Sequence, residues 1–598
     1  MCGIIGYNGK RIDTLKILID GLNSLEYRGY DSSGIAFKTN KINIIKSVGK
    51  VCELEKKIDS NIKTNIGIGH TRWATHGKVS ELNSHPHNVG DITIVHNGII
   101  ENFKDIRNDL LKQNYKFNTE TDTEVACALI DYYYKKYKDI KIALNHFEKK
   151  VRGSFALAIM VNNNDNLYAI RKNSPLIIAK NKDGNYISSD SIAISKYSNN
   201  ILYLEENVIA EISAKSVKLF NKDLKEIKPK FTKIDISKED ADKGGYAHYM
   251  LKEIHDEPRV FKNTTNQFIY NQIESLLKDM PNFTKYNNIH IVACGSAYHA
   301  GLVGKYLIEE YASIPVTVEI ASEYRYKKPF YNKKTLVIVV SQSGETADSL
   351  AALRMANDDN IDTLGIVNVE TSTISRESKM VIYLKAGKEI AVATTKAYLA
   401  QITVFTLIAL NIAIKNKTLS EKEINTILND INELPVYLEE IIKQDIYQTI
   451  ATNIYKNDSI FLIGRGIDYA LAMEGALKLK EISYINCQGY AAGELKHGTI
   501  SLIEKNTPVI GILTDDNILE KTISNLEEVK SRGALIVGIT NDTKINNFDY
   551  LISIPKIHKL LQPILTIVPL QLISYEVAKL RKCDIDKPKN LAKSVTVE

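Results

Sequence analysis

Two sets of residues in this chain have the types and spacing that chemistry would need, and the first begins at Cys2. A small residue at position two lets an aminopeptidase remove Met1, which leaves a cysteine carrying both a thiol and a free α-amino group. The amine titrates near about 7.7–8.0 and the thiol near about 8.5, so one can take the other's proton close to neutrality. The thiolate can then attack an amide carbonyl. Cys2 could equally be a small apolar residue that starts a strand. His70-Thr71-Arg72-Trp73 and His96-Asn97-Gly98 each follow a short apolar run, and polar groups gathered at strand ends suggest a site. Taken singly, Arg72 fits a surface ion pair, Trp73 fits a core position and Asn97-Gly98 fits a turn. Asp122 sits inside Thr121-Asp122-Thr123-Glu124, which is spaced as a capping box, so it also fits a first-turn acid suited to the helix dipole.

The second set lies beyond residue 290. Ser341-Gln342-Ser343-Gly344-Glu345-Thr346 follows the apolar run Leu336–Val340 and precedes a helical pattern. Backbone N–H groups at a helix start attract anions, and three hydroxyls add donors, so a phosphate suits this loop. A single hydroxyl would be enough for capping alone. Gly295-Ser296-Ala297 ends the preceding strand at the same sheet edge, and its glycine spacing is no dinucleotide fingerprint. Lys478 and Glu481 stand three apart on one helical face, a spacing shared with ordinary surface ion pairs. Gly493-Glu494-Leu495-Lys496-His497-Gly498 adds an imidazole, and a base, a cation and an imidazole near a phosphate loop could isomerise a sugar.

The elements that must position these groups differ along the chain. An amphipathic helix from Leu15 to Leu25 and many short strands through Ala179 predict stacked sheets with helices outside, an α/β layered domain over residues 2–220. The segment 221–245, rich in lysine and acids and closed by Gly244-Gly245, reads as a connection. Beyond it, apolar runs alternate with helix-length segments, the mark of a doubly wound parallel sheet. The runs Ile289–Cys294, Leu336–Val340, Leu364–Val367 and Val381–Leu384 make one copy; Ile460–Ile463, Val509–Leu513, Leu535–Ile539 and Leu551–Ile554 make another. Each copy closes on a long apolar helix, so two similar units are expected over 246–440 and 441–598.

Composition narrows the class. With 598 residues, 44% apolar and 25% charged, the chain is long enough for several globular cores. The net charge of +6 comes from scattered lysines and leaves no footprint for nucleic acid or an anionic membrane. Six dispersed cysteines argue against a disulfide framework or a zinc site and fit a reducing cytoplasm. The N-terminus lacks the layout of a signal peptide, and Tyr398–Ile414 is too short and too polar for a membrane span and reads as a buried helix.

Several stretches together resemble the isomerising glutamine:fructose-6-phosphate aminotransferase family over the whole length. They are Met1-Cys2-Gly3-Ile4, Leu25 to Ser32, His70 to Gly77, His96 to Asn102, Ser341 to Thr346, Glu481 to Tyr484, Glu494 to Gly498 and Asn590 to Glu598. The resemblance implies an N-terminal-nucleophile glutaminase domain of layered αββα type, followed by two tandem sugar-isomerase (SIS) domains. It implies a homodimer acting on L-glutamine and fructose 6-phosphate, without metal or organic cofactor. It gives Cys2 the nucleophile's part, Arg72 the glutamine carboxylate, Asp122 its α-amino group, and Asn97 and Gly98 the oxyanion hole; Trp73 would shield the ammonia. Ser341, Gln342, Ser343 and Thr346 would take the sugar phosphate, with Ser296 and the stretch Val392-Ala393-Thr394 completing the pocket. Glu481 matches the proton-transferring base, His497 the ring-opening residue, Lys478 a charge-stabilising partner and Lys593 the Schiff-base amine. Two departures stand out: family members usually read Thr-Ser at Ser296-Ala297, and Thr394 stands where serine is common.

Two other functions fit parts of this pattern. A phosphoribosyl amidotransferase would share the Cys2 half but would need an acidic pyrophosphate loop after a strand, which this sequence lacks. A non-catalytic sugar-phosphate sensor would account for the repeated unit and leave Cys2, Arg72 and Asn97 without a purpose.

Overall fold

The computed structural model describes residues 2–74, 76–233, 243–270, 273–545 and 547–596. Met1, Thr75, Val597 and Glu598, four residues of the quoted motifs, lie outside that set, as do residues 234–242 of the stretch read as a connection. The chain divides into two compact units, Met1–Lys238 together with Ser594–Glu598, and Glu239–Lys593.

In the first unit an eight-stranded and a seven-stranded sheet are present. The strand Gly3–Gly9 is wholly buried and lies between Ile66–Arg72 and Gly184–Ser188, antiparallel to both. In the other sheet the strands Ile92–Ile100 and Gly153–Val161 pair along nine residues. Side chains of both sheets, among them Ile4, Ile68, Val95 and Ala158, form one core cluster, as expected when alternate residues of two sheets face each other. Helix Thr14–Leu25 covers the outside of the first sheet through Leu18, Leu22 and Leu25. Helices Asp122–Tyr137 and Ile140–Lys150 cover the second through Leu129, Ile130 and Phe147. The layers are therefore αββα. Strands Glu226–Ile227 and Thr232–Lys233, inside the stretch read as a connection, pair with strands Val217–Phe220 and Asn200–Tyr203.

The second unit holds two five-stranded parallel sheets of the same order. In the first, the spatial sequence is Val316–Ile320, Asn288–Ala293, Thr335–Ser341, Asp362–Val367, Met380–Tyr383. In the second it is Asn486–Ala491, Ser459–Gly464, Pro508–Leu513, Leu535–Thr540, Tyr550–Ser553. Both orders are 2-1-3-4-5, so the direction of winding reverses between the first and third strands, where a crevice opens at the carboxyl edge. The repeat extends to single residues. Gly295 and Gly466, each following a first strand, share φ near 57° with ψ of −132° and −129°, and each precedes a 17-residue helix. Those helices, Ser296–Ala312 and Ile467–Ser483, belong to one continuous core with Lys396–Lys415 and Gln562–Leu580. The last two are long and apolar enough to cross a membrane by length and composition, yet they lie almost wholly inside the fold.

Candidate active sites

The first site grows from three adjacent strands and a helix start. Gly3 pairs with Thr71, so Cys2 reaches the end of strand Ile66–Arg72, and the Trp73 N–H donates to its Sγ at 3.3 Å. Asn97 Nδ2 donates to the Cys2 carbonyl at 3.0 Å, while its own Oδ1 is buried with no partner among the described residues. Burial pushes the Cys2 thiol up; the positive charge at the chain's amino terminus, the Trp73 amide and Arg72 all oppose that shift.

Asn97 and Gly98 are not in a turn: both lie within strand Ile92–Ile100, opposite Ala156 and Phe155. Gly98 has φ of +136°, and a Cβ there would fall 2.1 Å from the Ser154 carbonyl oxygen. Only glycine tolerates both conditions. Arg72 is buried rather than paired at the surface, and its guanidinium donates to the carbonyls of His76, Gly77 and Lys78. Trp73 is half-buried, with its ring edge-on to Tyr30. Thr121 caps helix Asp122–Tyr137 by accepting the Glu124 N–H, but the Glu124 carboxylate turns back to the amides of Asn118 and Thr119, so the reciprocal half of the box is not made. Asp122 is buried and accepts the Ile100 N–H at 2.9 Å, which ties the helix start to the strand that carries Asn97. The cluster thus presents a thiol, a guanidinium, a carboxylate and an amide, the groups that an α-amino acid amide would engage.

The second site lies at the switch point of the first parallel sheet. Ser296 opens the helix after the first strand, and Ser341 ends the third. The hydroxyls of Ser341 and Thr346 are 2.9 Å apart, Ser341 Oγ accepts the Gly344 N–H, and Ser343 Oγ accepts the Glu345 N–H. Gln342, Ser343 and Thr346 remain partly open to solvent, so the hydroxyl-rich turn is shaped before anything binds.

Two buried ion-pair groups link residues of the two repeats. Lys478 is 1% exposed, which rules out the surface-pair reading, and its Nζ lies 2.7 Å from Glu481 and 3.5 Å from Glu474. Burial pulls Lys478 down, but Glu481 and Glu474 together hold it above the ordinary lysine range. Glu474 also meets His299 Nδ1 of the first repeat at 2.8 Å. The second group joins Lys593 to Glu389, and Thr394 donates to the same Glu389 oxygen. Val392 is held by a bond from its N–H to the Asp586 carbonyl. His497 ends the short helix Ala492–His497 and is exposed on this chain, outside both ion-pair groups.

Glu389, Glu474 and His299 are the buried polar groups that sequence reasoning missed. A buried acid or histidine looks like any other acid or histidine until its neighbours are known. The one available signal was Glu474 four residues before Lys478, on the same helical face.

Residues 71–196 match the glutamine amidotransferase domain model, and residues 282–411 and 453–581 each match the SIS domain model. The chain is 45% identical to the glutamine–fructose-6-phosphate aminotransferase [isomerizing] of Clostridium acetobutylicum, covering 100% of both chains. The chain belongs to this family. A further relative of the same description, from Methanosarcina acetivorans, is 42% identical, again over 100% of both chains. Among solved structures, the C-terminal domain of glucosamine-fructose-6-phosphate aminotransferase from Francisella tularensis is 38% identical with a TM-score of 0.55. It covers 58% of this chain and 100% of its own. Membership in the family accounts for the division into an amidotransferase unit and a duplicated SIS unit.

Proposed function

We propose that the chain converts L-glutamine and fructose 6-phosphate into glutamate and glucosamine 6-phosphate, with the amide nitrogen passed as ammonia from the first site to the second. The observation that carries this reading is the coexistence, in one chain, of the Cys2 thiol set among Arg72, Asn97 and Asp122 with a hydroxyl-rich turn at an α/β switch point.

At the first site the Cys2 thiolate attacks the glutamine amide, and the oxyanion that forms is met by the Asn97 side chain and the Gly98 amide. Arg72 takes the substrate carboxylate and Asp122 its ammonium group. Ammonia leaves, and water releases glutamate from the thioester. Trp73, on the Cys2 sulfur through its amide, shields the ammonia.

At the second site Ser341, Gln342, Ser343 and Thr346 hold the phosphate, with Ser296, Val392 and Thr394 at the rim. His497 opens the sugar ring, and Lys593 forms a Schiff base with the open-chain ketose. Glu481, oriented by Lys478, moves the proton between C1 and C2. The hydroxyl lost at Ala297 removes one donor from this pocket and leaves the reaction class unchanged. The functional form is a homodimer in the cytoplasm. Incubation with glutamine and fructose 6-phosphate should yield glucosamine 6-phosphate and glutamate in equal amounts; glutamate alone would overturn the second half of the reading.

A further inference from the structure

We propose that Glu389 is the positioning residue for the Lys593 amine, holding it against the sugar pocket and serving as the resident carboxylate through which a proton leaves and returns during Schiff-base formation. This inference rests on the sugar-site reading above.

Among the described residues, the geometry sets Glu389 apart from the other acids of the unit. It is fully buried, and each of its oxygens has two partners. Oε1 accepts the N–H groups of Thr395 and Ala397 at 3.0 and 3.1 Å, the start of helix Lys396–Lys415. Oε2 meets Lys593 Nζ and the Thr394 hydroxyl. One carboxylate therefore ties the Thr394 hydroxyl and the start of helix Lys396–Lys415 to the amine.

Four charged or titratable groups bear on it, Glu253, Glu257, Lys478 and Lys593, and Lys396 acts in turn on Glu253 and Glu257. Burial, and then the charge on Glu389, push Glu253 up to about 8, and burial pushes Glu257 well above the carboxylate range. Burial pushes Glu389 up as well, but Lys593, Thr394 and the helix amides outweigh it and hold it below its ordinary value. Of the three buried acids, Glu389 is the one that stays ionised at neutral pH.

The proton balance needs no further reactant. The Lys593 ammonium gives one proton to Glu389, and the neutral amine's lone pair bonds to C2 while the C=O π pair moves onto oxygen. Glu389 returns its proton to that oxygen. A second N–H proton follows it, and the oxygen leaves as water with the C–O pair. The nitrogen begins as ammonium and ends as a protonated Schiff base, each beside a carboxylate anion.

The test compares E389Q, E389D and K593A in the full chain, after thermal melts show that each is folded. E389Q should lower kcat for glucosamine 6-phosphate by roughly 10²-fold or more, with KM for fructose 6-phosphate nearly unchanged, and should slow borohydride trapping of the sugar on the protein to match. Without the carboxylate charge the acid limb of the pH–rate profile should move to lower pH, and E389D should move it back. Wild-type trapping and an unmoved profile in E389Q, with K593A inactive, would overturn the role of Glu389 alone. Trapping and amino-sugar formation that persist in K593A would overturn the sugar-site reading itself. If E389Q does not fold, K593A gives the reverse measurement: an unpaired buried Glu389 should widen the melting-temperature gap from wild type as pH rises, and a pH-independent gap would refute the pairing.

Discussion

Gly98 and Ser343 make contrasting demands on single side chains. Gly98 combines a φ closed to other residues with a backbone oxygen where a Cβ would sit, so Gly98→Ala must shift the strand pair Ile92–Ile100 and Gly153–Val161. The expected cost is about 1–3 kcal/mol of stability, seen as a lower melting temperature, together with loss of glutamate release. A variant that melts and turns over like wild type would contradict the strained geometry. Ser343 lies partly open on a preformed turn, so Ser343→Ala should leave the fold intact and weaken fructose 6-phosphate binding by about 1–3 kcal/mol. Titration calorimetry reads this directly, and unchanged affinity would remove the turn from the phosphate site.

At the scale of elements, the first unit buries four histidines on or beside adjoining strands. His70 and His85 stack at 4.0 Å, His85 lies 5.0 Å from His87, and His70 Nε2 bonds the His96 carbonyl. Burial lowers all four, His70 to about 3, so they stay neutral in the fold. The unfolded chain would bind protons at about 6.5, hence the stability they confer is present above that value and is lost as pH falls below it. The buried acids Glu253 and Glu257 of the second unit act with the opposite sign, because a raised carboxyl stabilises the fold at low pH and ceases to as pH rises. Trp73 is the single tryptophan and lies in the first unit, so its fluorescence isolates that unit's transition. The midpoint should drop between about pH 7.5 and about pH 5. A midpoint that holds steady or rises would contradict the neutral histidine cluster.

For the whole molecule, the two chemistries fall in separate compact units. Cys2, Arg72, Asn97 and Asp122 lie in Met1–Lys238, whereas Ser296, Ser341 to Thr346, Glu481 and Lys593 lie in Glu239–Lys593. Cys2→Ala should therefore abolish glutamate release while the protein still binds fructose 6-phosphate and slowly converts it to the aldose phosphate. Both reactions followed in one folded preparation decide the matter: joint loss would mean a single shared site.

Periodicity alone determined the layered α/β character, the long core helices and the repeat, because apolar residues at spacing two or 3.6 must face a core wherever that core lies. It failed at the edge strands Val316–Ile320 and Asn486–Ala491. An edge strand is half solvated and carries polar residues, so its pattern resembles a loop. Among the candidate residues, Cys2, Arg72, Asn97 and the serine turn were legible because their types are unusual at such positions or because a motif carries them. What only the tertiary structure decided was burial and partnership. Lys478 became a buried cation and Asn97-Gly98 a strained strand rather than a turn. Glu389, 204 positions before Lys593, became its carboxylate. Charge pairing acts over a few ångströms in space, and no sequence spacing reports a contact that the fold alone creates.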